Sequence, residues 1–426
     1  MITQLGNNIT LVGNATQATI ETVPTQDVYG SAYWGSYHHN SGRFPHIQWG
    51  VRDDLPNRKM KLLQDNPTKM QLVITSRNFV IGAGIGVFKN TFNVETGEFE
   101  LKPFYSKAIE MWLRQERIQN YASEAAFQQA FSGNIFTNLS YNRRTNTASL
   151  RVKDVFMTRA KSPENIGQPV SSYLLNPQFG MPFFSIENNI PVAAYNPAQP
   201  QRHLESIWHG KDDIPGQPHY AFKPWWFTET WTQITDLIAQ FHINGLKNGY
   251  NIKYHIRIPE EYYDKLGDTI EEREAAKDEL SRNMDKWLAG VENVNKAMIT
   301  HYLSEQYGTG KTAGIEIIEL KNNLPDDAYT TLNETANRYQ TSGHGVLPVL
   351  GGVDTGSKFG GSGSELRVAA QYHEDYNTYS DRHILTEPIR YAADMMGWDD
   401  DIVFWPKRIL PIPTLDKIKP DDRKLN

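Results

Sequence analysis

Residues 223–251, KPWWFTETWTQITDLIAQFHINGLKNGYN, constrain this chain more than any other stretch. Phe227, Trp231, Ile234, Ile238, Phe241 and Gly245 recur at spacings of four, three, four, three and four. That is one apolar stripe on a helix. Pro224 suits a first helical turn, and Gly249 suits the left-handed position just past a helix end. A helix over 224–248 would be roughly 37 Å long at ~1.5 Å per residue. Its other face carries Thr228, Thr232, Gln233, Asp236, Gln240 and Lys247, which excludes burial in a membrane. A long helix with one narrow apolar seam packs against copies of itself or against a long partner.

Composition narrows the rest. A chain of 426 residues, 39% apolar and 12% aromatic, can build two or three domains or one elaborate one. There is no cysteine, hence no disulfide framework and no thiolate metal site. The opening MITQLGNNITLVGNATQ lacks the basic flank and apolar run of a signal peptide. No run approaches the ~18 apolar residues of a membrane span. The net charge of −6 argues against tight wrapping of nucleic acid, which needs many cationic phosphate contacts.

Read in order, residues 1–45 are polar and then aromatic (Tyr29, Tyr33, Trp34, Tyr37), an extended arm without firm structure. Leu55-Pro56 opens a short helix. Asn66 and Pro67 cap a second one running to about Ile81 and ending at Gly82, and Ile85–Phe88 follows as a strand. Phe104–Gln128 has a helical pattern. The runs 133–141 and 148–156 alternate and read as a hairpin. Residues 165–222 form a strand-and-loop layer. Beyond the long helix come a strand at Ile252–Ile258 and a charged helix within Glu260–Leu288. Two strands, Lys296–Ser304 and Thr312–Leu320, flank a tight turn. Another helix runs from Pro325 to about Tyr339, and residues 343–363 are glycine-rich. Ser364–Met396 is a second long helix that Pro388 should bend or interrupt. Ile402–Trp405 is a last strand before a charged tail. The expected class is α+β.

Few residues carry chemistry. Gly308-Thr-Gly-Lys-Thr312 resembles the end of a phosphate-binding loop, but Glu305 stands where its first glycine belongs and a strand, not a helix, follows. A hairpin turn is the better reading, and the rival, nucleotide hydrolysis through Lys311, is weak. Residues 351–363 read as a mobile loop between helices rather than a phosphate cradle. His38, His39, His242, His255 and His301 show no metal-ligand spacing. Glu271–Glu279 reads as a solvated helix face. No catalytic, cofactor-binding or metal-binding residue is expected, and the residues describe a structural protein rather than an enzyme.

A set of motifs in order resembles a known family. Trp49-Gly50, Leu55-Pro56, Leu62-Leu63, Asn66-Pro67 and Ile81-Gly-Ala-Gly-Ile85 come first. Gly216–Pro224 leads into the long helix, Phe241–Gly249 ends it, and Leu288–Lys296 precedes a strand. Val346–Gly352, Gly361-Ser-Gly363 and Thr386-Glu-Pro388 close the series. Together these resemble the portal proteins of tailed bacteriophages, of the HK97-like type, over some 350 residues. The departures are the long aromatic arm and a short C-terminal region.

The resemblance implies a ring, typically of twelve subunits, at one capsid vertex. Such a ring is assembled in the bacterial cytoplasm and passes double-stranded DNA without sequence specificity. Its partners would be the terminase large subunit, a head–tail adaptor, and the major capsid or scaffold protein; no membrane is involved. It also implies a layout: arm and wing 1–222, first stem helix 223–248, clip 249–323, second stem helix 324–345, channel loop and hinge 346–364, kinked tunnel helix 365–398, and reduced crown 399–426. The stem seam would be Phe227, Trp231, Ile234, Ile238 and Phe241. The DNA-facing loop would hold Ser357, Lys358 and Phe359, with hinge glycines Gly351, Gly352, Gly360, Gly361 and Gly363. Another ring-forming virion component, an adaptor or tail protein, is the alternative from the same class.

Overall fold

The computed structural model describes residues 2–6, 9–12, 44–50, 52–93, 98–163, 168–216, 218–248, 252–259, 262–263, 266, 268–288, 296–302, 315–319, 328–352 and 363–409. The chain divides into two compact bodies. The smaller combines Met1–Val23 with Gln233–Asn333, and the larger combines Pro24–Thr232 with Glu334–Asn426.

Taken along the chain, β1 (Ile2–Gly6) and β2 (Ile9–Val12) come first. The residues expected to be an unstructured arm therefore begin with two strands that pair with each other, and β2 joins a larger sheet only through β12, nearly three hundred residues away. α1 (Leu55–Asp65) carries Pro56 in its first turn. Asn66 caps α2 (Pro67–Ile81) by accepting from the Lys69 backbone N–H at 3.0 Å. β3 (Ile85–Asn93) and β4 (Glu98–Pro103) pair as a hairpin. The helical pattern over Phe104–Gln128 resolves into α3 (Lys107–Gln115) and α4 (Ile118–Ser132). Arg117 between them takes a left-handed φ of 53°, which a continuous helix cannot contain.

β5 (Asn134–Asn142) and β6 (Thr147–Lys153) form the expected hairpin. β7 (Thr158–Ala160), β8 (Ser172–Leu175) and β9 (Ile190–Ala193) make a separate antiparallel sheet. β10 (Glu205–Lys211) pairs with β5. The long helix, α5, spans Glu229–Asn248, about 30 Å at ~1.5 Å per residue. It is shorter than the expected 224–248 because Pro224–Thr228 is a tighter 3-10 turn.

β11 (Ile252–Pro259), α6 (Ile270–Leu288), β12 (Lys296–Tyr302) and β13 (Glu316–Glu319) follow. β11 and β12 are parallel and joined through α6, a βαβ unit. The strands expected as neighbours around residues 308–310 are not paired with each other. β11 lies between β12 and β13, so the turn is not a simple hairpin, and Gly308–Thr312 lies outside the described residues. The sheet order is β1-β2-β12-β11-β13. Ile256, Ile258 and Tyr263 are buried in this body.

α7 (Ala328–Gly343), α8 (Gly363–Tyr372), α9 (Tyr379–Met396) and β14 (Ile402–Pro406) complete the chain. Pro388 does not interrupt α9. The break falls earlier, at a π-helical turn over His373–Asn377. Pro388 is buried beside Leu385 and Ile389, and that packing holds the helix through the missing N–H. β14 closes a three-stranded sheet with β3 and β4.

The larger body has two cores. One gathers Trp112, Ile118, Tyr121, Ile135, Leu139 and Ile389 between α4, α9 and the β5 sheet. The other gathers Trp49, Leu63, Phe131, Phe136, Tyr220, Trp225 and Trp226. The whole is a mixed α/β architecture of small sheets, with no barrel among the described residues.

Candidate functional site: the anchored base of the long helix

The second core exists to hold the start of α5. Trp225 and Trp226 are each 1% exposed, and their indole N–H groups donate to the Ala130 and Phe131 carbonyls at 3.1 and 2.7 Å. Those carbonyls belong to the last turn of α4, where four helical acceptors lack intrahelical partners. The tryptophans thus satisfy one helix end while fixing the beginning of the next helix. Trp49, from the Trp-Gly motif, stacks on Tyr220 at 4.3 Å with the rings 5° from parallel.

Three lysines reach into the same base. Lys59 is 1% exposed; its ammonium donates to the Trp226 carbonyl at 2.8 Å and pairs with Glu229, the first residue of α5. Burial pulls the Lys59 ammonium below its ordinary value, and Glu229 opposes that pull. Lys69 is fully buried, donates to the Thr228 hydroxyl at 2.6 Å, and lies 5.4 Å over the Trp225 ring. Lys223 bridges Asp212 at 2.9 Å and Asp381 at 3.0 Å. Burial would lower the Lys223 ammonium, but Asp381 and Asp212 outweigh it and hold it above its ordinary value. The Asp212 carboxyl is pushed up by its own burial.

The base also takes in the end of α7. His344 stacks on Trp225 at 5.3 Å, 8° from parallel. A side chain on Gly343 would put its Cβ 2.6 Å from the Thr228 Cγ2 and 3.2 Å from the Trp225 Cα, so only glycine permits this approach.

The seam residues are divided. Phe227 is 47% exposed, while Trp231, Ile234, Ile238 and Phe241 are half-buried. In the larger body Trp231 stacks on Tyr339 at 4.3 Å; in the smaller, Phe241 stacks on Tyr329 at 4.7 Å. Each stack ties α5 to α7 of the same chain, so part of the stripe packs against a second helix within the chain. Leu237 and Ile243, off the stripe, are 44% and 50% exposed.

Gly351 ends a helical turn over Pro348–Gly351, and Gly352 follows at a φ of 65° with nothing within 4 Å of a would-be Cβ. Gly363 begins α8. Ser357, Lys358, Phe359, Gly360 and Gly361 lie outside the described residues. Sequence reasoning missed Lys59, Lys69 and Lys223 as anchors.

Among the described residues no group of three His, Asp, Glu or Cys side chains could hold a metal ion, and no helix is long and apolar enough to cross a membrane. The base is a set of hydrogen-bonded lysine and tryptophan anchors in an aromatic core; among the described residues the Trp49 Nε1 and His344 Nε2 atoms are buried there without a hydrogen-bond partner.

No protein-family model and no curated protein sequence matches this chain. Its fold does have solved counterparts, in structures of gene transfer agent (GTA) particles. A chain from "Neck of empty GTA particle computed with C6 symmetry" matches with a TM-score of 0.51 at 13% identity, covering 82% of this chain and 84% of that one. A chain from "Virion of native gene transfer agent (GTA) particle" matches with a TM-score of 0.51 at 13% identity, covering 81% and 82%. The likeness is one of fold, and it spans about four-fifths of each chain.

Proposed function

We propose that this chain is a portal-type subunit: a non-enzymatic virion protein that forms a ring at one capsid vertex. The single observation carrying the reading is the fold shared, over four-fifths of each chain, with a chain in the neck of a gene transfer agent particle computed with C6 symmetry. The chain order supports it. α5 departs from a heavily anchored base, a small α/β body follows, and α7 returns to the same base through Tyr339 and His344. In the ring, residues 223–248 and 324–345 act as stem helices and 249–323 as the clip facing the terminase large subunit and a head–tail adaptor. The major capsid or scaffold protein contacts the outside. Double-stranded DNA passes through the middle without sequence readout, near Ser357, Lys358 and Phe359. The net charge of −6 suits a path along which DNA slides rather than sticks. Assembly takes place in the bacterial cytoplasm.

Native mass spectrometry of the purified chain tests the ring. The expected result is one closed multiple of the 48.6 kDa subunit. A monomer at all concentrations, or an open series of multiples, contradicts it.

A further inference from the structure

The five-stranded sheet of the smaller body ends in two open edges among the described residues, β1 on one side and β13 on the other. An open edge presents unpaired backbone N–H and C=O groups and is a template for another strand. Natural edges are blunted by central lysines, prolines or inward charges. Here β13 is short and has Glu316 and Glu319 at its ends, and β1 loses its regular register past Gln4, but between these devices each edge keeps an uncharged stretch, Ile2–Gln4 and Ile317-Ile318. β1 reads Ile-Thr-Gln-Leu-Gly, with no charge and no proline. β13 reads Glu-Ile-Ile-Glu, and its two central residues, on opposite faces, are 65% (Ile317) and 41% (Ile318) exposed.

We propose that β13 of one subunit pairs with β1 of the next, so that the sheet continues from copy to copy; this rests on the ring reading above. Strand directions carry the argument. β1 is antiparallel to β2, β2 to β12, β12 is parallel to β11, and β11 is antiparallel to β13. β1 and β13 of one sheet therefore run in opposite directions. A rotation that preserves strand direction brings the next β1 beside β13 as an antiparallel pair. Such a head-to-tail contact is heterologous, the kind that closes into rings. The like-with-like alternative, β13 against a second β13, would set Glu316 and Glu319 of one copy against those of the other. β1 offers β13 no opposing charge. Its pairing with β2 shifts register between Gln4 and Gly6, so Ile2–Gln4 is the regular part available for a new ladder.

The chain has no cysteine, which makes the test direct. Two double variants, Gln4→Cys with Ile317→Cys and Thr3→Cys with Ile318→Cys, are purified and oxidised or treated with a phenylene bismaleimide, which tolerates a one-residue slip. Within one chain the two edges are about 19 Å apart, four strand spacings of ~4.8 Å. A disulfide needs Cα atoms within ~7 Å, so a cross-link can only join two subunits. The expected result is a covalent ladder on denaturing gels, reaching the full ring, from double variants only. Rings by native mass without a ladder overturn the sheet continuation and leave the ring reading standing. Covalent dimers from Ile317→Cys alone mean that the edges pair like with like, which also overturns it. Monomers without cross-links overturn both.

Discussion

His209 shows how one residue ties the base of the long helix to pH. Its ring stacks on Phe136 at 4.2 Å and meets Tyr173 edge-on at 5.7 Å, and Nε2–H donates to Asn134 Oδ1 at 3.0 Å. Asn134 in turn bonds both the N–H and the C=O of Ala221, at 3.0 Å each, just ahead of the helix base. Burial, with Lys211 and His219 nearby, pushes His209 down to about 3. In the unfolded chain it titrates near 6.5. Between those values the unfolded chain holds a proton that the folded one does not, so stability falls as pH drops from about 6.5 toward 3. Its steepest slope is about 1.4 kcal/mol per pH unit per histidine. His344, pushed well below its ordinary value by burial and by Lys69, acts in the same direction. Urea unfolding midpoints at pH 7, 6 and 5 should fall for the native chain and fall less steeply for His209→Asn. Equal slopes would show that His209 is not the group responsible. The buried lysines belong to the same scale. Lys59→Met would leave the Trp226 carbonyl and the part-exposed Glu229 carboxylate short of a donor and should cost about 1–3 kcal/mol, read as a fall in the urea midpoint at pH 7.

At the scale of elements, the end of α7 and the 3-10 turn before α5 meet where Gly343 lets backbone approach backbone. Gly343→Ala should cost about 1–3 kcal/mol, because the new methyl must displace Thr228 or the Trp225 main chain. Calorimetry measures that cost; an unchanged or higher Tm would mean that the approach is looser than the geometry states. The elements also show what the sequence could disclose. The helical course of α5, the capped start of α2 at Asn66-Pro67 and the β5–β6 hairpin are written in local spacing. The 3-10 start of α5 is not, because Trp225 and Trp226 are held by carbonyls of α4 rather than by their neighbours in sequence. The Arg117 break was hidden because α3 and α4 share one helical periodicity. β12 and β13 read as a hairpin because they are neighbours in sequence, whereas β11, on the other side of α6, supplies the strand between them. β1 and β2 alternate weakly and find a sheet only through a partner from the far half of the chain. Lys59, Lys69 and Lys223 carry no sequence sign of burial, since a lysine is ordinarily solvated and becomes an anchor only when tertiary structure delivers an acceptor.

For the whole molecule, the start of the long helix is held by two tryptophans and three lysines, while Leu237 and Ile243 stay exposed further along it; in the proposed ring such exposed apolar groups would face a neighbouring copy. Negative-stain electron microscopy of the purified chain tests the proposed closed ring and its passage most directly. The expected result is end-on views of rings of one symmetry with a central channel wide enough for duplex DNA. Compact particles without a channel, across the full range of protein concentration, would contradict it.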